Sequence, residues 1–210
     1  MSRGLRSPIH GLYAITPDEA DTARLEAMVA ASLEGGARVV QYRNKSAGTT
    51  LQLRQAQCLQ ILCRRFGVPL IVNDSVDVAL AVEAAGVHLG AGDLDLFRAR
   101  QVLPHKIVGM SCYNRLDLAQ QAQAGGADYV AFGSFFASST KPGAVNASFE
   151  LLRQAKRQLT IPLVAIGGIT PSGARELVSA GADAIAVITA LFGAQDIRQA
   201  AMQFNYLFEE

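Results

Sequence analysis

The sequence predicts a single-domain (β/α)8 barrel, the TIM-barrel architecture, over residues 1–210. Three observations predict it. Eight short apolar, β-branched runs recur, at residues 12–16, 38–43, 70–74, 87–90, 107–112, 129–134, 163–168 and 184–189. Most are continuous rather than alternating, as strands buried on both faces of a parallel sheet are. Eight helix-like stretches follow them in turn, at residues 22–34, 50–66, 76–85, 94–103, 116–125, 148–158, 171–180 and 196–206. Finally, 210 residues lie at the lower edge of the roughly 200–250 that one α/β barrel occupies. No linker, low-complexity segment or charge block divides the chain. An open doubly wound sheet is the competing arrangement; eight strands favour closure.

Composition narrows the function. Half the residues are apolar and 18% are charged, with a formal net charge of +1. Such a chain is not disordered, and it has no basic field for nucleic acid. The longest apolar stretch, residues 184–194, is too short for a bilayer, which needs about 20 residues. Arg3 and Arg6 are followed by Pro8, His10 and Gly11 rather than an apolar segment, so no secretory leader is expected. Cys58, Cys63 and Cys112 are odd in number and form no CxxC, which fits a reduced cytoplasmic protein. Small-molecule substrates are the expected partners, with homo-oligomerisation left open.

The elements follow in order. Asp21 caps the first helix, and Thr170-Pro171 supplies an N-cap and a first-position proline for the seventh. Gly36, Gly86, Gly126 and Gly181 each stand where a helix ends and a strand begins, a place for left-handed backbone. In a barrel, function gathers at the C-terminal ends of the strands. The second strand ends Val39-Val40-Gln41-Tyr42-Arg43-Asn44-Lys45. Alternation places Gln41, Arg43 and Lys45 on the face of Val39, towards the interior. Cations there call for a counter-charge, and a bound anion is one; solvation beyond the rim is the other reading. The third strand ends Asn73-Asp74, and Gly90-Ala91-Gly92-Asp93 follows the fourth. Two acids beside cations suit Mg²⁺ between carboxylates and a polyphosphate. Each could instead cap its following helix. Asp77 and Asp95 read as first-turn charges.

The fifth strand ends Met110-Ser111-Cys112. Ser111 can donate to an oxygen anion, while Cys112 has no neighbouring base and reads as a buried thiol. After the sixth strand, residues 135–142 include Ser138, Ser139, Thr140 and Lys141, which suit phosphate contacts or a lid. The seventh and eighth strands end Gly167-Gly168-Ile169-Thr170 and Val187-Ile188-Thr189, the phosphate cradle of this architecture. His88 lies inside the fourth strand and reads as a satisfied core residue; His10 and His105 sit in terminal and turn positions. Two anion sites emerge, one for a diphosphate with Mg²⁺ and one for a monophosphate, which together imply group transfer.

These motifs resemble the thiamine phosphate synthase family. The resemblance rests on Gln41-Tyr42-Arg43-Asn44-Lys45, Val72-Asn73-Asp74, His88-Leu89-Gly90 with Asp93, Ser138-Ser139-Thr140-Lys141, and Ile166-Gly167-Gly168-Ile169 followed by Val187-Ile188-Thr189. The opening Gly11-Leu12-Tyr13-Ala14-Ile15-Thr16 fits as well. The resemblance implies transfer of a hydroxymethylpyrimidine group from its diphosphate to a thiazole phosphate, with or without a carboxylate lost as CO₂. It implies pyrimidine diphosphate binding by Gln41, Arg43, Lys45, Asn73, Ser111 and Lys141. Mg²⁺ would be held by Asp74 and Asp93, and the thiazole phosphate by Ser138, Thr140, Gly168, Ile188 and Thr189. Arg43, Lys45, Lys141 and Ser111 would carry the catalysis. Ser138 stands where the family often has Thr, Thr189 where Ser is common, and Ala91 where Gln is frequent. The related thiazole tautomerases lack the Asn-Asp pair and use a His near the position of Ser134. An isomerase of that kind, or a non-catalytic phosphate-binding barrel, is the alternative.

Overall fold

The computed structural model describes residues 9–90, 92–137 and 145–208. Eight strands form a closed parallel barrel in sequence order, β1 pairing with β8. They are β1 (Gly11–Ile15), β2 (Val39–Tyr42), β3 (Leu70–Asn73), β4 (Gly86–Leu89), β5 (Ile107–Tyr113), β6 (Tyr129–Phe132), β7 (Leu163–Ile166) and β8 (Ala184–Val187). Around them stand α1 (Thr22–Glu34), α2 (Thr49–Phe66), α3 (Val76–Ala81), α4 (Leu96–Val102), α5 (Leu116–Ala124), α6 (Phe149–Gln158), α7 (Pro171–Ser179), α8 (Thr189–Phe192) and α9 (Ile197–Asn205), with a 3₁₀ turn at Tyr206–Phe208. The predicted barrel and its alternation are borne out. The doubly wound alternative is excluded by the β1–β8 pairing.

Alternation along each strand builds two cores. Val40, Tyr42, Leu70 and Val72 face outward into the helix layer. Tyr13, Ile15, Val39, Ile71, Tyr129 and Val164 fill the barrel. Gly109 faces Tyr129 across the β5–β6 register, and a Cβ there would lie 2.0 Å from the ring. The glycine is what lets a full tyrosine ring stand inside a barrel this narrow.

Caps explain most element ends. Asp21 accepts from Ala23 N and Arg24 N, and Thr170 caps α7 with Pro171 at its start, as predicted. Four readings are corrected. The helix predicted to run to residue 85 stops at Ala81, because the chain turns through Glu83 at φ 54°. Gly86 is therefore the first residue of β4, not a left-handed helix end, whereas Gly36, Gly126 and Gly181 do take positive φ. The fourth helix begins at Leu96, and Asp95 is its N-cap, accepting from Arg98 N at 3.0 Å. One extra helix, α8, follows β8 at once and takes in Thr189, the last residue of the predicted strand.

Candidate active site

The strands' C-terminal ends enclose one cavity of about 1090 Å³. Gln41, Arg43, Lys45, Asn73, Asp74, Asp93 and Ser111 line one part of it. Gly168, Ile188 and Thr189 line another. The two expected anion sites are thus two parts of a single space. Ser138, Thr140 and Lys141 lie outside the described residues, as does most of the expected lid at residues 135–142.

Arg43 sits just beyond β2, where Thr16 Oγ1 both donates to its carbonyl and accepts from its N–H, each at 2.8 Å. Its guanidinium meets Asp18 Oδ1 at 3.1 Å, and the same oxygen accepts from Lys45 N at 2.9 Å. Asp18 is the counter-charge that the strand-end reading missed. Arg43 is thereby held in place with one carboxylate for partner, and its remaining N–H groups have the cavity before them. Lys45 reaches Asp74, Nζ to Oδ2 at 3.4 Å.

The acids are close together. Asp74 has a left-handed φ of 62°, and its N–H is tied to His88 O at 2.9 Å. That turns its carboxyl towards Asp93. Burial raises the Asp74 pKa, the Asp93 charge and a hydrogen bond with Asp93 raise it further, and Lys45 works the other way. Asp93 Oδ2 accepts from Gly90 N at 2.6 Å. Neither acid is a helix cap: Ser75 caps α3 and Asp95 caps α4. Among the described residues no cluster of three or more His, Cys, Asp or Glu side chains converges on a metal position. The donor set is this pair of carboxylates with one lysine. Two facing carboxylates with hard oxygen donors fit Mg²⁺, which takes one or two protein carboxylates and completes its shell with phosphate and water.

Below the charged rim lies a polar chain. Gln41 is buried and donates from Nε2 to Tyr13 Oη at 2.9 Å. Tyr13 and Tyr129 share a 2.7 Å hydroxyl contact. Tyr129 Oη meets His88 Nδ1 at 2.9 Å, and His88 Nε2 meets Ser111 Oγ at 2.9 Å. Burial lowers the His88 pKa to about 4, although the Asp93 charge opposes it, so the ring is neutral at pH 7. Burial also raises both tyrosines. His88 is the satisfied residue expected, but it also lines the cavity. Cys112 is buried and its thiol is pushed up to about 12, which leaves it no nucleophilic role.

At the other part, Gly167 and Gly168 take φ values of 103° and 63°. A Cβ on Gly168 would lie 2.2 Å from Ala137 O. Glycine is required here both for conformation and for space. Ile188 precedes α8, whose first intrahelical bonds come from Leu191 and Phe192 to Ile188 O. The N–H groups of Thr189 and Ala190 precede those bonds, and both residues line the cavity. Ser134 is buried and donates to Phe136 O at 2.5 Å. It supplies no base where the tautomerases place a His.

Known proteins match this chain over nearly its whole length. The model of a family described as thiamine monophosphate synthase matches residues 12–191. A thiamine-phosphate synthase of Nitrosospira multiformis is 56% identical over 205 residues, covering 97% of this chain and 88% of that protein. One of Methylobacillus flagellatus is 56% identical over 209 residues, covering 99% of this chain and 100% of that protein. A solved structure of thiamine phosphate pyrophosphorylase from Pyrococcus furiosus superposes with a TM-score of 0.86 at 38% identity, covering 97% of each chain.

Proposed function

The chain belongs to the thiamine monophosphate synthase family and is a transferase, and from that premise we propose the reaction its cavity carries out. The substrates are 4-amino-2-methyl-5-(diphosphooxymethyl)pyrimidine and a thiazole phosphate. The carrying observation is one cavity in which Arg43, Lys45 and the Asp74–Asp93 pair face the glycine cradle and Thr189. A diphosphate suits the first group and a monophosphate the second.

The route is dissociative. The bond from the pyrimidine methylene to the diphosphate oxygen breaks, and the electron pair leaves with diphosphate. The 4-amino group donates into the methylene cation. The thiazole nitrogen then forms the new C–N bond, giving thiamine phosphate. Arg43 and Lys45 stabilise the charge that develops on the leaving oxygens, where stabilisation is most effective. Lys141 belongs to the same reading, as do Ser138 and Thr140 on the thiazole phosphate. Gln41, Asn73 and Ser111 hold the pyrimidine diphosphate; Gly168, Ile188 and Thr189 hold the thiazole phosphate. Asp74 and Asp93 would hold Mg²⁺, which supplies positive charge to the diphosphate. No covalent enzyme intermediate is required, in keeping with the raised Cys112 thiol. The three free cysteines suit a reducing compartment and a cytoplasmic enzyme. Among the described residues no helix is long and apolar enough to cross a membrane.

The test is turnover of the paired substrates with and without Mg²⁺. Thiamine phosphate and diphosphate should appear together, and absence of both would refute the proposal. An isomerase working only at the glycine cradle would tolerate Arg43→Ala; the transferase should lose diphosphate binding. Asp93→Ala should lose most turnover and regain part of it at raised Mg²⁺. Full activity of this variant without added metal would refute the metal assignment.

A further inference from the structure

The five-residue chain inside the barrel has one proton order in which every contact pairs a donor with an acceptor and both phenols donate along it. Gln41 Nε2 donates to Tyr13 Oη. An amide nitrogen donates and does not accept, and a phenol has one proton, so the order that keeps every proton within the chain has Tyr13 donating to Tyr129 Oη. Tyr129 then gives its own proton to His88 Nδ1. A neutral imidazole carries a single N–H, which must therefore sit on Nε2 and point at Ser111 Oγ. With that lone pair engaged, the Ser111 proton is free to turn towards the cavity that Ser111 lines. Among the described residues no buried side-chain nitrogen or oxygen is left without a partner.

We infer that Tyr13, Tyr129 and His88 are positioning residues that fix Ser111 as a hydrogen-bond donor to the substrate and Gln41 Oε1 as an acceptor. The two ends are coupled: reversing one bond reverses all of them, and Ser111 would then spend its proton on His88. The chain thus presents an acceptor on one wall of the cavity and a donor on another. This polarity suits an aminopyrimidine, whose amino group donates while its ring nitrogens accept. Which substrate atoms meet the two ends rests on the proposed function; the direction of the chain does not.

Nitrogen NMR of the substrate-free protein tests the direction. The chain has three histidines, so His10→Gln and His105→Gln identify the His88 signals. At pH 7, Nδ1 should be of the unprotonated, pyridine type and Nε2 of the protonated, pyrrole type. Tyr13→Phe, whose lost hydroxyl lies one hydrogen bond beyond His88's own partner, should mix the two tautomers. A proton on Nδ1 in the wild type would overturn the inference, whatever reaction the enzyme catalyses.

A double-mutant cycle tests the coupling to turnover. Tyr129→Phe should lower kcat about tenfold when Ser111 is present, the worth of roughly one hydrogen bond. In the Ser111→Ala background the same change should cost about twofold or less, because its target is gone. Equal losses in both backgrounds would show a packing role and overturn the inference. Should Tyr129→Phe fail to fold, the wild-type tautomer decides alone.

Discussion

The two ends of the barrel carry similar charges and use them in opposite ways. At the N-terminal end of the strands, two acids each meet a cation and a backbone donor. Asp128 pairs with Arg100 and accepts from Val108 N at 2.7 Å. Arg100 also donates to Gly126 O and Lys106 O, both at 2.7 Å. Asp183 pairs with Lys156 at 2.6 Å and accepts from Leu163 N at 2.9 Å. At the C-terminal end, Asp74 instead faces Asp93, and a single lysine at 3.4 Å opposes their mutual repulsion. Like charges brought together cost the fold stability. The difference separates charges that close strand starts from charges kept for a ligand.

Neutralising one mouth acid breaks the comparison most sharply. Asp74→Asn should lower turnover on the order of 10³-fold, the loss of a metal ligand at the leaving group. The same variant should unfold at a higher temperature than the wild type in the absence of metal, because the repulsion with Asp93 is gone. Added Mg²⁺ should raise the midpoint of the wild type and leave that of Asp74→Asn in place. Calorimetry of both proteins with and without Mg²⁺ separates these outcomes. A lower midpoint for Asp74→Asn would show that the pair serves the fold.

The polar chain between the two ends makes the next largest prediction. His88 titrates near 4 in the folded protein and at its ordinary 6.5 in the unfolded chain. Below 6.5 the unfolded state takes a proton that the folded state refuses, so stability falls as pH falls through this window. The loss should reach about 3 kcal/mol at pH 4. Urea midpoints at pH 7 and pH 4.5 measure it, with His88→Gln as a reference lacking the same slope. Equal slopes for the two proteins would assign the acid loss to carboxylates.

Asp128→Asn tests the other end. Removing the charge unpairs Arg100, whose side chain is only 21% exposed. The cost should be about 2 kcal/mol of stability with kcat unchanged. A change in kcat at constant stability would erase the distinction between the two ends.

How much of this was legible follows from which forces act locally. The strands were legible because burial on both faces demands continuous apolar runs, and their ends moved by only one or two residues. Gln41, Arg43 and Lys45 were legible because alternation is strict along a strand. Asp18 was not, since its approach to Arg43 depends on β1 and β2 pairing, which Thr16 then locks. Tyr13 and Tyr129 are core by their rings; their hydroxyls meet only once the barrel closes and brings residues of β1 and β6 together in its interior. α8 was hidden in an apolar run that gave no sign of turning.

Asp93 and Asp95 supply the smallest and closest version of the comparison. They lie two residues apart in one loop, and the sequence had offered the cap role to the first and a first-turn role to the second. The structure gives the cap to Asp95, whose carboxylate accepts from Arg98 N at 3.0 Å, and aims Asp93 at Gly90 N and Asp74. Asp95→Ala removes an N-cap and should cost about 1 kcal/mol of stability. Its kcat and Mg²⁺ dependence should match the wild type, since α4 is anchored by the buried Ala99 and the loop stays tied through Gly90. Asp93→Ala should do the reverse, losing turnover with little loss of stability. If both variants lost turnover alike, the loop as a whole would be the functional unit, and the division between structural and ligand-directed charge would not extend down to neighbouring residues.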